Sequence, residues 1–325
     1  MSFIKKLSVF SVLSLFALSV LAIPFAVAQD GQNQQSGSGL QLSPTRTELS
    51  IIPGDQRSFT IKLTNVTQND VTAKAFLNDF ESDNVSGTPK IIVDENREPT
   101  PYSLKDILKG LTDVELKAGE AKDIELTADV AQGTPPGAYF GAIRYAAVPA
   151  GGQQGETDRQ VSLTASVAHL VFLEVPGDIN QQIQVQGIEL KNGSDTTSFY
   201  QSPNRAEIAV KNLGKGFARP FGKVTLMRGG SEVYTYDINN TDPKGIILPQ
   251  SSRTFSDEVK NVSTPGKYKI VASVAYGNGG EVVSFEKSFW YLPLWFLGVI
   301  ALVIILLIVA GVVVYKKYVA KKFGK

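Results

Sequence analysis

The sequence predicts an all-β body, two β-sandwich domains in tandem, followed by one transmembrane α-helix. Three observations carry this. Short segments alternating apolar and polar residues recur from Leu40 to Phe289, with turn signals roughly every 8–15 residues. Leu294 to Val314 is a 21-residue run without a charge. Among 325 residues, 43% are hydrophobic and 19% charged, too apolar for a disordered chain and too polar for a polytopic membrane protein.

The N-terminus reads as a signal peptide over residues 1–28. Lys5 and Lys6 supply a basic start, Leu7 to Ala22 is uncharged, and Pro24 breaks the run. Ala26-Val27-Ala28 gives the small-x-small pattern of a cleavage site before Gln29. An uncleaved anchor is the alternative reading, and Pro24 with the Ala26/Ala28 pair favours cleavage. Residues 29–39, rich in Gln, Ser and Gly, read as a flexible polar linker.

Residues 40–176 are expected to form the first sandwich. Ser58 to Val66 sets Phe59, Ile61 and Leu63 on one face. Val71 to Phe80, Asp123 to Thr127 and Tyr139 to Ala147 are further strand candidates. A short helical insert is predicted where Ser103 can cap and Leu104, Ile107, Leu108 and Leu111 share a helical face. Val161 to Val175 is a long strand whose odd positions, His169 among them, form a buried face. Pro176-Gly177-Asp178 is the inter-domain turn, as a hinge or as a fixed corner.

Residues 177–290 are expected to form the second sandwich. Strand patterns fall at Gln184–Ile188, Ala206–Val210, Gly222–Met227, Glu232–Tyr236, Thr254–Val259, Tyr268–Tyr276 and Val282–Phe289. About seven strands in roughly 110 residues is the size of an immunoglobulin-like unit. Thr134-Pro135-Pro136-Gly137-Ala138-Tyr139 is matched by Thr264-Pro265-Gly266-Lys267-Tyr268, each ahead of a strand that ends in tyrosine, Tyr145 or Tyr276. Leu116 lies 20 residues before Pro136 and Leu248 lies 17 before Pro265, which suggests a duplicated topology. Pro presets φ and Gly accepts positive φ, so each match reads as a turn into the next strand.

The transmembrane helix is expected at 291–315 and a basic cytoplasmic tail at 316–325. At about 1.5 Å per residue, 21 residues span roughly 31 Å, one hydrocarbon core. Trp290, Tyr291 and Trp295 flank one end as an aromatic belt, and Tyr315 and Tyr318 the other. Lys316, Lys317, Lys321, Lys322 and Lys325 follow, which by the positive-inside rule puts this end in the cytoplasm of the plasma membrane. These lysines also suit anionic lipid headgroups, with topology as their simpler role. Leu292-Pro293-Leu294 lacks the Thr-Gly of a sortase signal, so the helix reads as a retained anchor. Of 32 basic residues, two lie in the leader and five in the tail; the remaining 25 face 31 acidic ones, a net of −6, which gives no basis for nucleic-acid binding.

Chemistry-bearing motifs are few. The absence of cysteine removes thiol nucleophiles, cysteine-held metals and a lipidated cysteine, and a single histidine, His169, removes multi-histidine sites. His169 lies on an apolar face and reads as a core residue more than a base. Asp79, Glu81, Asp83 and Asn84, and again Asp237, Asn239, Asn240 and Asp242, are oxygen-rich loops without EF-hand spacing, closer to solvated turns than to calcium sites. Glycosylation sequons occur at Asn65, Asn84, Asn192, Asn239 and Asn261. No catalytic, phosphate-binding or cofactor motif is found, and Tyr139, Phe140 and Tyr145 read as core more than as sugar-stacking residues.

The organisation resembles the WxL-interacting protein family of bacterial cell surfaces. Pro53-Gly54-Asp55-Gln56 with Thr64-Asn65-Val66-Thr67, Ser103-Leu104-Lys105, Phe140-Gly141-Ala142-Ile143, Leu248-Pro249-Gln250-Ser251 and Pro265-Gly266-Lys267-Tyr268 are similar to its turns and strands. The resemblance implies a non-enzymatic, membrane-anchored surface scaffold without a cofactor. Its first domain would bind peptidoglycan and its second a partner surface protein. The alternative expectation is an assembly chaperone or a pilus or adhesin subunit that pairs an exposed edge strand with another chain.

Overall fold

A computed structural model describes residues 39–94, 96–149, 166–277 and 280–323. The predicted leader with Ala26, Ala28 and Gln29, the linker up to residue 38, and Val161–Ala165 of the long strand lie outside the described residues.

The first sandwich comprises β1 (Leu40–Ser43), β2 (Arg46–Ser50), β3 (Gln56–Asn65), β4 (Val71–Asn78), β5 (Phe80–Ser82), β6 (Pro89–Ile91), β7 (Leu108–Lys109), β8 (Val114–Leu116), β9 (Ala121–Asp129), β10 (Gly137–Pro149) and β11 (Ser166–Val175). One sheet runs β1-β3-β9-β7 and the other β2-β11-β10-β4-β8, with β5 and β6 as a separate hairpin. Among the described residues, the pairing of β2 on β11 is the one parallel pairing. Period-two burial makes the core: Ile61 and Leu63 of β3, Ile124 and Leu126 of β9, and Ile143 and Tyr145 of β10 turn inward. His169 of β11 is fully buried among them, its Nδ1 2.7 Å from the Pro44 carbonyl and its ring stacked on Phe59.

The helix expected at Ser103 does not form. The Ser103 hydroxyl accepts from Lys105 N–H and a single turn follows, with Leu108 N–H on Leu104 O at 2.8 Å. Leu108 and Lys109 then pair with Ala128 and Thr127 of β9, and Gly110 turns away at φ +87°. Leu104, Ile107 and Leu108 are buried as the apolar spacing required, but a strand pairing replaces the second turn that would have repaid helix nucleation.

The second sandwich comprises β12 (Ile183–Asn192), β13 (Asp195–Thr196), β14 (Arg205–Asn212), β15 (Phe221–Arg228), β16 (Ser231–Ile238), β17 (Ser252–Glu258), β18 (Gly266–Tyr276) and β19 (Glu281–Tyr291). Its antiparallel sheets are β13-β12-β14-β17 and β16-β15-β18-β19. Both sandwiches are immunoglobulin-like, and two corners are duplicated between them. Tyr139 and Tyr268, at the starts of β10 and β18, each donate a hydroxyl hydrogen bond to the carbonyl four residues upstream, Pro135 at 3.0 Å and Thr264 at 2.8 Å. Asn65 and Asn212, ending β3 and β14, each accept from the N–H two residues on and donate to the carbonyl four residues on. Each also donates across the sandwich, to Lys117 O and to Ile247 O. Both are buried, so these bonds replace the hydration their amides lose.

The helix α1 (Leu294–Phe323) follows β19 after Leu292 and Pro293 alone. It starts later than expected because Tyr291 is still paired with Gly266 in the sheet. Pro293 then supplies the first carbonyl, accepting from Phe296 and Leu297 N–H. It also ends later, running through Lys316 and Lys317. Leu294–Val319 is long and apolar enough to cross a membrane, and none of its residues is buried.

Candidate functional site

The functional surfaces are assembled where elements meet, first at the junction of the sandwiches. β10 and β11 bury both faces. Their odd residues enter the first core, while Ala138, Phe140, Ala142 and Phe172 face outward and meet Phe217, Ile246 and Leu248 from two loops of the second sandwich. Phe80 of β5 packs edge-on to Phe172 and tilted to Phe140. Each buried phenyl contributes about 1.5–3 kcal/mol through apolar area.

Polar contacts frame this cluster. Arg219 reaches Glu48 at 2.6 Å and Glu174 at 3.7 Å. Ala138 N–H donates to Lys215 O. The tip of the β5–β6 hairpin lies on the outer edge of β17: Thr254 N–H donates to Val85 O at 2.6 Å, and Ser252 N–H to Asn84 Oδ1 at 3.0 Å. Gly87 of that tip sits at φ +78°, and a Cβ there would come within 2.8 Å of Arg253. The turn at Pro176-Gly177-Asp178 therefore spans a packed corner.

Beside the cluster runs a groove of about 430 Å³ shared by both sandwiches. Tyr102 floors it, its ring stacked on Phe140 at 5.4 Å and its carbonyl accepting from Phe140 N–H. Glu81 and Arg97, paired at 2.5 Å, and Glu98 and Gln250 supply polar walls. Asp79 holds the wall from behind, accepting from Thr100 N–H and the Ser103 hydroxyl, each at 2.7 Å.

Of the oxygen-rich residues singled out from sequence, Asp83 and Asn239 hold turns, while Glu81 and Asp237 lie in strands. Asp83 accepts from the Ser86 hydroxyl and from the N–H groups of Val85, Ser86 and Gly87, which hold its carboxyl well below the usual range, the hydroxyl contributing most. Asn239 clasps Pro220 and Gly245. No metal-holding group of three or more His, Asp and Glu exists among the described residues. All five sequon asparagines use their amides in internal hydrogen bonds, and Asn65 and Asn239 are buried. Tyr145 is fully buried, which pushes its hydroxyl pKa up to about 12. Tyr102, which the sequence reading did not single out, lines the groove together with the buried Phe80 and Phe140; only the proline-rich Pro99-Thr100-Pro101 before it hints at an exposed turn.

The second surface is the base of the second sandwich. Trp290 and Tyr291 lie in β19, not in the helix, while Trp295 is in the first turn of α1 and Tyr315, Lys316 and Lys317 lie near its far end. Leu292 N–H donates to Phe199 O at 2.7 Å, which joins the β13–β14 loop to the start of the helix.

No protein-family model matches this chain, and no curated protein matches it. Among solved structures, it is similar to a chaperone–tip adhesin complex of CFA/I fimbriae, at 15% identity and TM-score 0.37 over 75% of this chain and 97% of that one. It is also similar to the Pseudomonas aeruginosa CupB2 chaperone, at 13% identity and TM-score 0.32 over 76% and 99%. A third is the E. coli chaperone DraB, at 15% identity and TM-score 0.31 over 77% and 96%.

Proposed function

We propose that this chain is a non-enzymatic, membrane-anchored cell-surface scaffold. In this reading α1 crosses the plasma membrane with its lysines in the cytoplasm, and the sandwiches stand outside. The observation that carries it is the two-residue connection between β19 and α1. A folded body attached without a spacer to a span-length apolar helix is held at the bilayer surface.

The wall-polymer role implied by the resemblance to the WxL-interacting family fits the junction groove. An aromatic floor accepts the C–H face of a sugar ring, and carboxylate, guanidinium and amide walls meet its hydroxyls. The test is co-sedimentation of the full chain, in detergent, with purified peptidoglycan. Sedimentation that weakens in Tyr102→Ala supports the reading; no sedimentation overturns the wall-binding half. Separate halves are poor reagents, because cutting at Pro176 exposes Phe140, Phe172 and Phe217.

A second reading, strand addition by a protein partner, is favoured by β16 and β19. They are the outermost strands of their sheet, with 8 and 11 residues. Co-purification of a partner without wall binding would support this reading over the first.

A further inference from the structure

We propose that the base of the second sandwich is a lipid-contacting surface. The β13–β14 loop, carrying Phe199 and Tyr200, sits in the headgroup zone of the leaflet that α1 enters. This rests on the reading that α1 spans a bilayer.

The geometry ties loop depth to helix depth. Leu292, two residues before α1, donates to the carbonyl of Phe199, so the loop lies level with the point of entry. The loop is a held turn. Gln201 N–H bonds Ser198 O, Asn192 Nδ2 donates to Ser202 O, and the Ser202 hydroxyl donates to Val262 O. Its rings are turned outward, Phe199 54% exposed and Tyr200 40% exposed, and they pack edge to face.

Large exposed aromatics are otherwise scarce on the body. Among the described residues outside α1 they are Phe199, Tyr200, Phe221 and Trp290, and three of these four are at this base. Phe199 and Trp290 line one shallow groove, and Trp295 extends the aromatic surface into the helix. Trp and Tyr favour the interface because one end is apolar and the other wet. The patch is continuous with a helix that lipid would surround, so the occupant that fits it is the phospholipid interface itself. Such contact would fix the tilt of the body on its short connection.

The chain has no cysteine, so one introduced cysteine is the sole labelling site. Full-length Gln201→Cys, Ile52→Cys and Leu307→Cys would each carry an environment-sensitive fluorophore in nanodiscs of phosphatidylcholine and phosphatidylglycerol. Iodide quenching reports water access and brominated lipid reports depth. The label at 307 should be quenched by lipid alone, the label at 52 by iodide alone, and the label at 201 should be several-fold less open to iodide than that at 52. Adding Phe199→Ser and Tyr200→Ser should raise iodide access at 201 and leave 307 unchanged. A label at 201 as open as that at 52, with 307 in lipid, overturns the docking and leaves the anchor standing. A label at 307 open to iodide overturns the anchor and the docking with it.

Discussion

Tyr139 and Tyr268 are the same residue of two sandwiches, each closing the turn into a central strand by a hydroxyl bond to the carbonyl four residues upstream. Their surroundings differ. Tyr268 is 1% exposed, while Tyr139 is half-buried. Removing a buried donor leaves an acceptor without water, so Tyr268→Phe should destabilise the chain by about 1–2 kcal/mol and Tyr139→Phe by under about 1 kcal/mol. Urea unfolding of the two variants decides; equal costs would contradict the argument.

The asparagine pair extends the same logic. Asn65 and Asn212 each hold three or more backbone groups, and an alanine holds none of them. Asn65→Ala and Asn212→Ala should each cost about 2–3 kcal/mol, because buried carbonyls are left unpaired. Denaturant midpoints measure this directly, and a near-neutral result at either position would mean water replaces the amide there.

At the junction, apolar packing outweighs charge. Arg219, Glu48 and Glu174 are each about one-third exposed, so solvent screens their pairing. Arg219→Ala should cost less than about 1 kcal/mol. Phe217→Ala removes a buried ring touching Phe140 and Phe172 and should cost about 3–5 kcal/mol. If the order is reversed in denaturation, charge holds the corner.

Asp83→Ala tests the hairpin that overlies β17. Without the carboxylate, the tip loses the bonds that present Val85 O and Asn84 Oδ1 to the β17 edge. Hydrogen exchange at Thr254 N–H should accelerate while β18 amides stay protected. The folded carboxyl titrates below the usual value near 3.8, so its contribution is complete above that value and fades as pH falls through the lower folded pKa. Unchanged exchange at Thr254 would show that the tip is held by packing alone.

Much of this architecture is legible in the sequence because half-buried strands carry a period of two. Asp123 to Thr127 reads as a strand, and Ile124 and Leu126 are indeed its buried positions. The Pro-Gly-Tyr repeat is legible as well, since the turn chemistry itself builds the tyrosine corner. The helix at Ser103 is misread because one turn followed by a two-residue strand reproduces helical apolar spacing over eight residues. The junction is invisible for a different reason: Phe140 and Phe172 occupy the face that an isolated sandwich gives to water. Its one signal is that Tyr139–Ala147 is apolar at nearly every position, the mark of a strand buried on both faces. Tyr102 and Phe199 lie in polar loops, where a lone aromatic carries no periodicity to read.

His169 makes the last prediction unusually clean, because it is the only histidine in the chain. It is fully buried, its Nδ1 meets Pro44 O, and its Nε2 has no partner. Burial holds its pKa below the usual 6.5, with the Pro44 bond opposing only in part. The ring is therefore neutral in the fold, with Nδ1–H donating to the carbonyl. Well above about pH 6.5 His169 is neutral in both folded and unfolded chains and adds no pH dependence of its own. Below it the unfolded chain takes up a proton that the folded chain resists. Stability then falls with a slope approaching about 1.4 kcal/mol per pH unit until the folded pKa is reached. Urea midpoints between pH 7.5 and 5 should show this slope in the native chain. His169→Asn, which keeps an N–H donor and cannot titrate, should lower stability at every pH and abolish the slope. A slope that survives the substitution would assign the pH dependence to another group and refute a neutral, carbonyl-bound His169 as its source.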